Sequence, residues 1–212
     1  MRKIWTGILL GAWAAGFVLA AAEQKRFQVS FGAGGGLVLG YGSQADYRPG
    51  ENDFPVTPKH TSWAFSGAAR YLFKARWGIE ARGAFYPKSK VTLTDPSDGD
   101  TVVIDTAGHF EITANAVFYI VRREKLGVYL LGGAGFDKIL AKDQSFTSSK
   151  GAGVFLGVPD KTIDALVLAG SGFEFDLSRK IGIKLDVHYR LILAKPSSIQ
   201  SVDLTAGFFL RF

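Results

Sequence analysis

The chain has 212 residues, 47% of them hydrophobic, with a formal charge of +6 and no cysteine. That length allows a single domain, and without cysteine no disulfide can staple an exported fold. Beyond residue 22 no run of eighteen or more apolar residues occurs, which excludes a bilayer-spanning helix; 26 glycines and 17 phenylalanines suit strands better than helices.

Met1-Arg2-Lys3 is a basic start, Ile4 to Leu19 an apolar run, and Ala20-Ala21-Ala22 a small-residue cleavage site, followed directly by Glu23-Gln24-Lys25-Arg26. This is the pattern of a removable secretory signal peptide over residues 1–22, leaving residues 23–212 as the folded domain. No cysteine follows the apolar run, so a lipoprotein anchor is not expected.

Strand side chains alternate with period two, and that alternation predicts eight strands. The first, Phe27 to Tyr41, places Phe27, Val29, Phe31, Ala33, Gly35, Leu37, Leu39 and Tyr41 on one face. The second, Thr61 to Phe73, aligns Trp63, Phe65, Gly67, Ala69, Tyr71 and Phe73, and the third continues from Trp77 through Ile79, Ala81, Gly83 and Phe85. The fourth carries Ile104, Phe110, Ile112, Ala114, Ala116, Phe118 and Ile120. The fifth runs Leu126 to Phe136 and the sixth Ala165 to Phe175; both faces of Val128 to Leu131 and of Leu166 to Leu168 are apolar, so alternation leaves their outward face open. The seventh runs Ile181 to Leu191. In the last, Ser201 to Phe212, the residues Val202, Leu204, Ala206, Phe208, Leu210 and Phe212 share one face.

The connections alternate in length. Lys74 to Arg76, Arg122 to Lys125 and Asp176 to Lys180 are short, whereas Gly42 to His60, Pro87 to Thr101, Lys138 to Ile163 and Ile192 to Gln200 are long. Short turns at one end, long loops at the other, an even strand count and apolar-out, polar-in segments are the pattern of a transmembrane barrel. A soluble ligand-binding barrel would invert the two faces. The expected fold is therefore all-β: an eight-stranded antiparallel up-and-down transmembrane β-barrel.

The final Gly207-Phe208-Phe209-Leu210-Arg211-Phe212 resembles the C-terminal signal by which outer-membrane barrels are recognised for assembly, with Gly207, Leu210 and Phe212 at the key positions. Together with the glycine-rich Phe31-Gly32-Ala33-Gly34-Gly35-Gly36 and Leu131-Gly132-Gly133-Ala134-Gly135-Phe136, and with Ala169-Gly170-Ser171-Gly172-Phe173-Glu174-Phe175, it makes the chain similar to the small OmpA-like and OmpX-like outer-membrane barrels. The resemblance implies the cell outer membrane as location and the barrel assembly machinery as a partner of the last strand. OmpA continues into a peptidoglycan-binding domain whereas this chain stops at the barrel, so that activity is not implied.

Parity sends Arg70, Glu80, Arg82, His109, Glu111, Glu174, Lys184, Asp186, His188, Arg190, Asp203 and Arg211 inward. Without the histidines, five bases face five acids. An eight-stranded interior is just wide enough for side chains to fill it, and a buried charge without a partner costs several kcal/mol, so the balance predicts an ion-pair plug. The turn at Lys74 to Arg76 predicts Arg70 opposite Glu80, and the turn after Phe175 predicts Glu174 diagonal to Lys184. A gated narrow polar path is the alternative.

The short turns carry Lys74, Arg76, Arg122, Arg123, Lys125, Arg179 and Lys180 against Glu124 and Asp176. A basic rim beside a membrane attracts anionic lipid head groups; without a groove or stacking platform it does not predict nucleic-acid binding. Tyr71, Phe73, Trp77, Phe118, Phe173, Phe175 and Phe212 are expected in one interfacial girdle, and Trp63, Phe85 and Tyr189 in the other. His109 and His188 face inward with no serine two residues on, so a lipid-modifying enzyme is disfavoured and no catalytic residue, metal or cofactor is assigned. Residues 32–36 lack the Gly-Lys-Ser/Thr of a phosphate loop.

Asp95-Pro96-Ser97-Asp98-Gly99-Asp100 reads as a solvated turn without the ligand order of a calcium loop. Its flanks, Val91 and Leu93 and then Val102 and Ile104, alternate, which extends the third and fourth strands into an exposed hairpin whose edge could receive a partner. The functional expectation is a structural or adhesin-like surface-interaction barrel with an extracellular partner at the long loops; the alternative is a narrow channel for small solutes of the OmpW type.

Overall fold

The computed structural model describes residues 27–41, 61–88, 90–94, 99–105, 107–140, 144–151, 153–156, 163–194 and 198–212. The proposed signal peptide and the segment 42–60 lie outside them. The strands are β1 Phe27–Tyr41, β2 Thr61–Leu72, β3 Trp77–Tyr86, β4 Lys90–Thr94, β5 Thr101–Asp105, β6 Gly108–Arg122, β7 Leu126–Leu140, β8 Gln144–Thr147, β9 Gly153–Leu156, β10 Ile163–Asp176, β11 Ile181–Leu193 and β12 Ile199–Arg211.

Eight of them close a barrel in the order β1-β12-β11-β10-β7-β6-β3-β2. Every neighbouring pair is antiparallel. Following directly paired residues once around, Gln28 leads through Arg70, Glu80, Asn115, Gly133, Leu168, Arg190 and Ser201 back to Val38, ten positions along β1 from the start. That stagger tilts the strands, as closure requires.

The two faces differ as alternation predicts. Trp63 is 71% exposed on the outside, and Phe31, Phe65, Ile112, Phe136, Leu204 and Phe208 join it, while Arg70 on the inside is 1% exposed. An apolar exterior suits lipid, which offers no hydrogen bonds to backbone or side chain. At the short-turn end Trp77 lies 4.6 Å from Phe118. Phe27, outward by parity, is buried beside Phe212, with ring centroids 6.3 Å apart.

The fifth and sixth strands, which alternation leaves open, are settled by pairing. Leu130, Gly132, Ala134 and Phe136 of β7 face outward, and Tyr129 and Leu131 inward; on β10 Ile163, Val167 and Phe173 are outward and Leu166 and Leu168 inward. Neighbours with clear parity impose the choice, because a one-residue slip would turn every side chain over. β7 also runs on to Leu140 rather than ending at Phe136. Its glycines allow strands to approach closely: a Cβ at Gly135 would stand 1.9 Å from the Ile112 carbonyl oxygen, and one at Gly133 2.1 Å from that of Ala114.

Outside the barrel, β4 pairs with β5 and β8 with β9. The first hairpin matches the expected extension, with one correction: Ile104 lies in β5, and the barrel strand starts separately at Gly108. The second hairpin was not anticipated. Asp95 and Asp98 lie outside the described residues, whereas Asp100 ties the two hairpins together. Its Oδ1 accepts from the Ser149 hydroxyl at 2.7 Å and from the backbone N–H of Thr101 at 2.8 Å and Lys150 at 3.0 Å; the Ser149 N–H donates to the Thr101 carbonyl at 2.7 Å.

Hydrogen bonds from the Ser148 and Ser149 hydroxyls and from the Lys150 and Thr101 amides hold the Asp100 carboxyl below its ordinary value, because they favour the ionised form. Stability from a depressed carboxylate is complete above the unfolded pKa, about 3.9 for Asp, and fades as pH falls through the folded value. Amide protection at Thr101 and Lys150, corrected for intrinsic exchange, is expected to stay flat from pH 7 to pH 5 and to fall only below about pH 3.9. Asp100→Ala should lose it at every pH. Equal protection in the variant would remove Asp100 from this role.

Candidate functional site: the barrel interior

The interior is built from inward positions on all eight barrel strands and falls into two bonded layers with a belt between them. The lower layer, at the short-turn end, centres on Arg70 of β2. Its Nε and one terminal nitrogen donate to Glu80 at 2.9 and 2.6 Å, and the other terminal nitrogen donates to Glu174 at 2.8 Å and to the Tyr119 hydroxyl at 2.7 Å. Glu174 also accepts from Gln28 at 2.7 Å, from Tyr119 at 2.9 Å and from Arg211 at 2.9 Å. Arg211 reaches Asp176 as well. The Arg70 guanidinium lies over the Tyr129 ring, 4.1 Å from its centroid, and the Tyr129 hydroxyl donates to Asp186.

The Arg70 to Glu80 pair is directly opposed in register, as the turn length predicts. The second expected pair needs correcting. Glu174 and Lys184 are directly opposite rather than diagonal, yet the Lys184 ammonium turns to Asp186 at 2.7 Å and to the Ser30 hydroxyl at 3.2 Å. Glu174 is taken by Arg70 and Arg211, which bring planar donors suited to a carboxylate.

The upper layer, towards the long loops, centres on Arg190 of β11. It donates to Glu111, to Ser201 at 2.9 Å, and pairs with Asp203 at 2.8 Å. The Tyr86 ring lies under the guanidinium, 4.1 Å away, and the Tyr86 hydroxyl donates to Asp203 at 2.6 Å. Arg82 stands 3.8 Å from Glu111. His109 stacks on Tyr86, with centroids 4.2 Å apart and planes 3° from parallel, and its Nδ1 is 2.6 Å from Asp137.

The belt lies between them. On β11 the inward order is Lys184, Asp186, His188, Arg190, which places His188 between the layers; Arg82 on β3, Asn115 on β6 and Thr205 on β12 occupy the same interval. Both terminal nitrogens of Arg82, both ring nitrogens of His188, Asn115 Oδ1, Thr205 Oγ1 and Asp203 Oδ1 are buried and make no hydrogen bond among the described residues.

Arg70, Glu80, Arg82, Glu111, Glu174, Lys184, Asp186, Arg190, Asp203 and Arg211, together with His109 and His188, all line this interior. Sequence reasoning missed Asp137 and Asp164, 2% and 3% exposed, so the five-to-five charge balance does not hold: the buried acids outnumber the buried bases. It also missed Tyr86 and Tyr119, whose parity with Arg82 and Glu111 was readable, and Tyr129, on a strand whose outward face alternation leaves open. The terminal residues Gly207, Leu210 and Phe212 lie on the seam instead, where the Phe212 N–H donates to the Phe27 carbonyl at 2.9 Å.

A closed barrel that is apolar outside and ionic inside, with short turns at one end, defines a membrane-spanning β-barrel protein. The profile of the outer membrane protein beta-barrel domain family matches residues 8–212. The chain belongs to that family, and its place is the bacterial outer membrane. Among solved structures, Neisserial surface protein A is similar at 13% identity over 88% of this chain and 97% of that chain, with a TM-score of 0.57. OprG of Pseudomonas aeruginosa matches at 12% identity over 88% and 96%, TM-score 0.47, and the Yersinia pestis attachment invasion locus protein Ail at 19% over 87% and 99%, TM-score 0.45. No curated protein matches the chain.

Proposed function

We propose that the protein is a non-catalytic outer-membrane barrel with a structural and surface-interaction role, its lumen closed by ion pairs and its extracellular hairpins presented to a partner outside the cell. The observation that carries this reading is the pair of bonded layers: Arg70 and Arg190 each bridge acids from different strands across the lumen. The clasp at Asp100 supports the second half, since two hairpins fixed to one another present a defined surface. The exposed rim of Lys74, Arg76, Arg122, Arg123, Lys125, Arg179 and Lys180 suits anionic lipid head groups on the periplasmic side, and the last strand suits recognition by the assembly machinery.

One observation favours the narrow channel instead. The unbonded donors and acceptors of the belt could hold a file of water, so that only the two layers would need to open. Planar bilayers separate the readings. The wild type is expected to give no steady openings, and cells displaying it to lose surface attachment when the hairpins at residues 90–105 and 144–156 are trimmed. Steady openings that survive the trimming would replace the plug by the channel.

A further inference from the structure

We propose that His109, Glu111 and Asp137 form a binding site for a divalent transition-metal cation, zinc in class, at the extracellular mouth of the lumen. Their ligand atoms lie within 4.8 Å of one another. His109 Nδ1 is 2.6 Å from Asp137 Oδ1 and 4.0 Å from Glu111 Oε1. Ligands on a tetrahedral zinc ion with bonds of about 2.1 Å stand about 3.4 Å apart, so the two separations straddle the required edge.

The surroundings are those of a built site rather than a chance surface cluster. Glu111 and Asp137 are directly paired across β6 and β7, and Asp164 of β10 is the register partner of Asp137. Three carboxylates, each no more than 3% exposed, thus stand in one row on adjacent strands. Like charges directly opposite one another repel, and a cation held by Glu111 and Asp137 adds to the compensation that Arg190 already gives Glu111. Imidazole and carboxylate together suit zinc and its neighbours rather than calcium or magnesium, which take oxygen ligands.

Arg190 does not block the site. Its guanidinium is shared among Glu111, Asp203 and Ser201, and a carboxylate oxygen has lone pairs for both an N–H and a metal. Tyr86 stacks flat against His109, which holds the plane of the imidazole ring. The His109 side chain is 20% exposed, which gives a cation an entry path from the loop side.

The test titrates the folded full-length protein in detergent micelles with zinc chloride, followed by isothermal calorimetry and by metal content after dialysis. One zinc per chain is expected. Asp137→Asn and His109→Ala should each weaken binding by about tenfold or more, while His60→Ala and His188→Ala, which remove the other two histidines, should leave it unchanged. Each variant is first shown to fold by its gel shift between boiled and unboiled samples; Asp137→Asn keeps the shape of the side chain, so it reports on ligation where His109→Ala disturbs the stack on Tyr86. Binding that is absent in the wild type, that survives Asp137→Asn, or that is lost with His60 or His188 instead would overturn the site.

Discussion

Arg70→Ala is expected to lower the free energy of unfolding by about 3 to 5 kcal/mol, because it leaves Glu80 buried without its cation. Arg70→Ala with Glu80→Ala should cost less than the single change. Glu174 keeps Arg211, Gln28 and Tyr119 in both backgrounds, so the cycle isolates the Arg70 to Glu80 term. Urea unfolding in the presence of lipid vesicles measures it. A closed layer predicts a coupling above about 1 kcal/mol, whereas a hydrated lumen would solvate the survivor and bring the coupling down to the roughly 0 to 1 kcal/mol of exposed pairs. Coupling below about 0.5 kcal/mol together with steady conductance would mean that the lumen is a water-filled path.

Deletion of Phe212, or Phe212→Ala, is expected to reduce the protein assembled in the outer membrane to a small fraction of wild type. The lost ring contact with Phe27 contributes only about 0.5 to 1.5 kcal/mol, too little to unfold a barrel whose strands are all paired. In vitro, the refolded Phe212→Ala barrel should therefore unfold at nearly the wild-type urea concentration while its assembly in cells collapses. Shortening any long loop should do neither. Equal assembly of wild type and deletion would dismiss the terminal signal, and a matching fall in vitro would recast Phe212 as a packing residue.

How far the chain can be read without coordinates depends on where polarity alternates. In β3, in β11 and in β12 from Ser201 on, polar residues alternate with apolar ones, so parity alone sends Glu80, Asp186 and Asp203 inward, and the turn of Lys74 to Arg76 fixes the partner of Arg70. In β7 and β10 both faces are apolar near the middle, and Asp137 and Asp164 lay at ends that the apolar runs did not reach. The metal-site candidate was missed for that reason: it needs the register of β6 against β7, a long-range property. Lys184 shows a different limit. Backbone register places it opposite Glu174, but a flexible ammonium goes to the carboxylate that still lacks a cation, Asp186, because Arg70 and Arg211 fill Glu174.

The seam between β1 and β12 joins the two ends of the described chain, and it sets the order of events in folding. All other barrel ladders join strands that follow one another around the barrel in chain order, across a turn, a loop or one hairpin; this one can form only when the final strand is present, and contacts so distant in sequence make folding slow. Until then a chain bearing Trp63, Phe65, Phe136 and Phe208 on what will be its lipid face must cross an aqueous compartment with its strand edges open, the condition in which unfolded chains associate. A chain of this topology is therefore expected to need its apolar face covered until the C-terminal strand arrives. A circular permutant that joins the natural ends and opens the chain at a short turn would move this late step to a different pair of strands.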